Sequence, residues 1–239
     1  MAIMTTTANY RDGETLLEAL VAYDDAVTDY RPAVLIHHTW CGRDGFVAEK
    51  AIQIAELGYV GIAVDLYGKG ILGSNPEENA ALMQPFMEDR LLLRRRLMAA
   101  YRNAKLMPWV DGHTMAAIGF CFGGLCVLDL ARSGLELKGV VSFHGMLHAP
   151  DTIKTSPIKT KVLALHGHED PLAPTADVLA FQQEMTAAGA DWHMHTYGHT
   201  GHAFTNPAMT DRSSGYYFQR DSSRRAWLAM QNFLAEVFA

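Results

Sequence analysis

The residues best suited to covalent chemistry lie in Gly119-Phe120-Cys121-Phe122-Gly123-Gly124, between a strand-like run, AAIGF, and a helix-like run, LCVLDLAR. A nucleophile on such a strand-to-helix turn sits in strained backbone, and glycines on either side let strand and helix close around it. The following helix points its first amides at the sulfur, which favours thiolate. The leading amide, that of Phe122, is placed to hold a developing oxyanion. The plain alternative is a buried cysteine packed between glycines. A phosphate loop is excluded because no Lys-Ser/Thr follows, and the spacing G-x-G-x-x-G is missing.

A thiol nucleophile needs a histidine to manage protons and a carboxylate to orient it. Asp170, in LHGHEDP, and His202, in HTGHAF, each follow a strand-like run, and the order Cys121, Asp170, His202 suits a strand-turn-helix nucleophile. Glu169 and Asp177 compete for the acid role, and His199 and His144 for the base role. His144, in SFHG, is either a pocket-wall residue or a histidine hydrogen-bonded within its loop. His193, His195, His199 and His202 fall close together, but neither HExxH nor CxxC accompanies them. The expectation is no metal and no cofactor. Cys41 and Cys126 receive no chemistry.

These residues need a scaffold that brings strand ends together. Short β-branched runs predict buried parallel strands at 34–38, 60–64, 115–119, 139–143, 162–166 and 192–197. Amphipathic runs at 46–57, 175–188 and 222–238 predict helices, the first two stopped by Gly58 and Gly189. Alternation of this kind implies an α/β fold with a mostly parallel central sheet and helices on both faces. The stretch 14–25 reads as an added antiparallel strand. Residues 68–108 break the rhythm, as a cap or helical insertion within one domain spanning 1–239. Ligands of such sheets bind beyond the carboxyl ends of the strands, where His38-Thr39-Trp40, Cys121, Asp170 and His202 all fall.

Composition narrows the function. The chain has 239 residues, 49% hydrophobic and 19% charged, and 20 Lys+Arg against 26 Asp+Glu give a net charge of −6. The basic stripe of a nucleic-acid binder is missing, and Arg94-Arg95-Arg96 reads as one face of a helix. No apolar run is long enough to span a membrane, and the first residues lack a secretory layout. Three cysteines without CxxC make no disulfide framework. The expected setting is the reducing cytoplasm, with a small-molecule partner, no nucleic acid or membrane, and a monomer or small homo-oligomer.

GFCFGG, SFHG, LHGHEDPLAP and HAFTNP, in this order, resemble the dienelactone hydrolase family, as do Tyr10-Arg11-Asp12-Gly13 and Asp65-Leu66-Tyr67. The resemblance spans nearly the whole chain. It implies an α/β-hydrolase fold and a cysteine hydrolase that cleaves small esters or lactones through an acyl-thioester. Cys121 is then the nucleophile, His202 the general base, Asp170 its orienter, and the Trp40 amide the second oxyanion donor beside Phe122. His38, Thr39, His144, Phe204 and Asn206 are the expected pocket residues. Thr39 stands where family members usually carry a glutamate, and Asn206 where dienelactone-cleaving relatives carry an arginine. Rival readings are a non-catalytic, redox- or ligand-sensing relative and an acyltransferase. If His202 is the base, kcat/KM should rise through a titration near the ordinary histidine range.

Overall fold

The β-branched runs form strands, and their carboxyl ends carry most of the chemistry-bearing residues singled out above. The computed structural model describes residues 2–150 and 157–239. Two compact units divide the chain, one ending at Ala117 and the other starting at Ile118.

In the first unit, β1 (Ile3–Asp12) and β2 (Thr15–Asp24) pair as an antiparallel hairpin, with Asp12 opposite Thr15. β3 (Arg31–His37) leads through α1 (Gly45–Glu56) to β4 (Val60–Ala63), which lies parallel to β3 and antiparallel to β2. Asp44 caps α1 by accepting the Val47 amide at 3.3 Å, satisfying an amide that the helix itself leaves open. Val47, Ala51, Ile54 and Ala55 form its buried face. The N-terminal addition is therefore two strands. β1 escapes the sequence reading because its Thr-rich run is mostly exposed and lacks a period-two apolar pattern.

Residues 68–108 hold α2 (Pro76–Glu88) and α3 (Arg90–Lys105). α3 covers the β1–β2 hairpin. Asp12 accepts from Arg95 Nε at 2.9 Å and from Arg96 Nε at 3.0 Å, and Arg96 also donates to the Leu66 carbonyl at 2.6 Å and to Thr15 at 3.3 Å. The arginine run lies on a helix but not on one face of it: Arg95 is exposed and Arg96 is buried against the acid. An unpaired charge in its place would be strongly destabilising.

In the second unit, β6 (Gly139–Phe143), β7 (Lys161–Gly167) and β8 (Trp192–Tyr197) pair in parallel. β5 (Val110–Phe120) runs across the unit boundary and feeds α4 (Phe122–Arg132), every residue of which is buried. β5 begins five residues before its expected start, the added part containing the polar residues Asp111, His113 and Thr114. Fully buried Arg132 ends α4 with a two-pronged bond to Glu184 at 2.8 and 2.7 Å and a bond to the Leu147 carbonyl at 2.8 Å. Glu184 lies on α5 (Thr175–Ala187). A two-stranded ribbon of β9 (Thr210–Asp211) and β10 (Tyr216–Tyr217) precedes the last helix, α6 (Arg220–Val237), which packs on β6 and β7.

Candidate active site

Cys121 is the one residue between β5 and α4, at φ 57° and ψ −114°. That left-handed backbone is costly for a non-glycine residue and persists only where surrounding contacts enforce it. The glycines supply the enforcement. A Cβ on Gly119 would lie 1.9 Å from the Gly123 carbonyl oxygen, and one on Gly124 would lie 2.6 Å from the Gly145 Cα. The Cys121 carbonyl accepts the Gly124 amide at 2.9 Å, so α4 starts directly from Cys121 with Phe122 N–H as its first amide. The thiol is half-buried.

Asp170 and His202 lie in the same unit and meet. His202 Nδ1 and Asp170 Oδ2 are 2.8 Å apart, both residues buried. The other carboxylate oxygen of Asp170 accepts the Leu172 amide at 2.8 Å, so the acid is held on both sides. A carboxylate on Nδ1 places the exchangeable valence of the ring at Nε2. Nε2 is buried with no hydrogen-bond partner among the described residues. Burial pushes the His202 pKa down. The charge of Cys121 as thiolate and the hydrogen bond to Asp170 outweigh it and hold the imidazole up at about 10. Cys121 thus acts on the ring both by its charge and as a hydrogen-bonding neighbour.

Of the rival bases, His144 stands beside His202 with ring centroids 5.1 Å apart. His199 is exposed and lies 3.4 Å from Glu169, whose side chain is also open to solvent. Asp177 sits in the first turn of α5. His193 and His195 are exposed along β8.

His144 and Phe204, expected as pocket residues, are buried, their rings 5.2 Å apart edge-to-face. Asn206 is half-buried, and its side-chain oxygen accepts the Ala208 amide at 3.0 Å. In the first unit, His38 is buried, accepting the Leu66 amide at Nε2 at 3.2 Å while Nδ1 lies 2.6 Å from the Thr39 carbonyl. The Thr39 hydroxyl accepts the Cys41 amide at 3.3 Å, and the Trp40 carbonyl accepts from the Tyr67 hydroxyl at 3.1 Å.

Tyr216 is the residue that sequence reasoning missed. Its ring stands edge-on to His202 at 5.4 Å, and its neighbours Gly215 and Tyr217 bracket the histidine's backbone. Burial, then the charges of Asp170 and Cys121, raise its phenol pKa. The Ser-Ser-Gly turn before the tyrosine pair was the available signal, but it gives no hint of the partner.

The dienelactone hydrolase family profile matches residues 17–238. The chain belongs to the dienelactone hydrolase family. It is a hydrolase of carboxylic ester or lactone bonds, with a small-molecule substrate. The solved structure of a dienelactone hydrolase-like promiscuous phosphotriesterase from metagenomic libraries superposes with a TM-score of 0.96 at 31% identity, covering 100% of both chains. A structure described as m3DLH gives 0.95 at 34% identity, again over 100% of both chains. The carboxymethylenebutenolidase of Pseudomonas putida is 24% identical over 191 residues, 77% of this chain and 78% of that one. No helix among the described residues is long and apolar enough to cross a membrane.

Proposed function

We propose that this hydrolase works through a cysteine nucleophile and an acyl-thioester. The Cys121 thiolate attacks the carbonyl carbon, and the carbonyl electron pair moves to oxygen. The resulting oxyanion is held by the Phe122 amide. Collapse forms the thioester and expels an alkoxide, which takes the Nε2 proton of His202. Acylation removes the thiolate charge that had raised the imidazole pKa, so His202 then holds its proton less tightly and becomes a base for water. Water adds to the thioester, its proton passes to Nε2, and the thiolate leaves. In a lactone the alkoxide stays attached, and the product is a hydroxy acid.

The observation that carries this reading is the 2.8 Å Asp170–His202 contact with a buried, unpartnered Nε2 in the field of Cys121. The favoured substrates are small and uncharged. Asn206 brings no charge to bind a carboxylate, and its oxygen is committed to the Ala208 amide. Phosphotriester cleavage is a second reading, favoured by the 31% identical phosphotriesterase. The same thiolate would attack phosphorus and expel the aryloxide.

The test is turnover of p-nitrophenyl acetate, dihydrocoumarin and an aryl phosphotriester by wild type and Cys121→Ala, with products analysed with and without added alcohol. Hydrolysis in wild type and its loss in the variant are expected. Equal rates in both proteins contradict the assignment, and ester products formed with alcohol indicate acyl transfer instead.

A further inference from the structure

The Cys121 backbone amide is held twice, by the Phe143 carbonyl at 3.0 Å and by His144 Nδ1 at 3.1 Å. A ring nitrogen that accepts an amide N–H carries no proton, so the ring proton of a neutral His144 sits on Nε2. Nε2 lies 2.8 Å from the Thr205 hydroxyl and donates to it. Thr205 belongs to the loop that carries His202. His144 itself is buried on left-handed backbone, φ 39°, and its own amide donates to the Leu165 carbonyl at 2.8 Å. Its ring stands edge-on to His202 with centroids 5.1 Å apart.

We infer that His144 is a positioning residue that clamps the nucleophile's backbone to the histidine loop, setting where the sulfur sits relative to His202. The inference rests on the reading of Cys121 as nucleophile. Both nitrogens of the buried ring are then used, Nδ1 to fix the turn and Nε2 to fix the loop. The Cys121 amide is thereby committed to these two acceptors, leaving oxyanion binding to the Phe122 amide. Burial, then the charge of His202, push the His144 pKa well below the ordinary range. His144 therefore stays neutral while His202 is an imidazolium, and the clamp keeps its acceptor.

Three variants separate positioning from filling space. His144→Asn keeps an acceptor where Nδ1 stood and tolerates positive φ, but does not reach Thr205. His144→Leu fills the space without either bond, and Thr205→Val removes only the loop bond. The readouts are kcat and KM on p-nitrophenyl acetate, the rate at which iodoacetamide alkylates Cys121 at neutral pH, and melting temperature. A small displacement of reacting groups costs about 100-fold, so His144→Leu should lose about that factor in kcat with KM nearly constant. His144→Asn should recover much of it, and Thr205→Val should lose about 10-fold with unchanged melting. Alkylation should slow in the same order.

If His144→Leu does not fold, the other two variants decide. Wild-type kcat and alkylation rates in both overturn the inference, as does a loss in His144→Asn equal to that in His144→Leu. Alkylation reads the sulfur's setting without turnover. Failure of the nucleophile reading, seen as activity surviving Cys121→Ala, is thus distinguishable from failure of the clamp.

Discussion

The first unit buries His37 and His38 near a strand end, the second buries His144, His166 and His202, and one of these five behaves differently from the rest. At the end of β3, burial drives the His37 pKa down to about 3, and it also lowers that of His38 despite the Thr39 carbonyl and the Asp65 carboxylate. In the second unit, burial keeps His144 neutral, while His202, just as buried, is lifted to about 10. Burial alone therefore makes a histidine inert. What distinguishes His202 is a carboxylate 2.8 Å from one nitrogen and a thiolate acting on the other. Neutral His38 is spent on local amide and carbonyl bonds, whereas His202 keeps a valence for chemistry.

Removing that one imidazole should give the largest effect. His202→Ala should lose about 10⁴-fold in kcat, as steady-state kinetics on the folded protein would read. Asp170→Asn should cost about 10³- to 10⁴-fold and make His202 resemble the other buried histidines. A falling limb of kcat/KM near pH 10 belongs to His202. The ordinary histidine titration expected from sequence is displaced because the ring is read in the presence of thiolate. In Asp170→Asn the falling limb should move to lower pH.

The smallest effect probes the inert pair. Neither His37 ring nitrogen has a partner among the described residues, and its pKa falls from 6.5 to about 3. A lowered histidine pKa means that the unfolded chain takes the proton first. Stability is then complete above about pH 6.5 and drains away as pH falls toward 3. Between pH 8 and pH 5 this group should cost roughly 2 kcal/mol. His37→Leu should shed that loss, raising the urea midpoint at pH 5 more than at pH 8, with kcat/KM unchanged. Equal shifts at both pH values would contradict the assignment.

The sequence carries the parts of the fold that rest on local pattern. β6 and β8 match the expected bounds because their runs are bordered by clear turns, and α1 and α5 match closely because glycines stop them. β1 is not legible because an exposed edge strand needs no apolar alternation, and α3 reads as part of a cap because its tie to Asp12 is non-local. Cys121, Asp170 and His202 are legible as motifs at strand ends. The bond from Cys121 to His144 and the approach of Tyr216 to His202 are not, because each depends on how loops far apart in sequence come together.

The central claim is that acyl groups pass through sulfur, and rapid-quench intact mass spectrometry with peptide mapping tests it most directly. Wild type mixed with p-nitrophenyl acetate should gain one acetyl group, mapped to the peptide containing Cys121, and lose it as hydrolysis completes. Turnover at full rate with acetyl on no residue, or on a residue other than Cys121, would contradict the account.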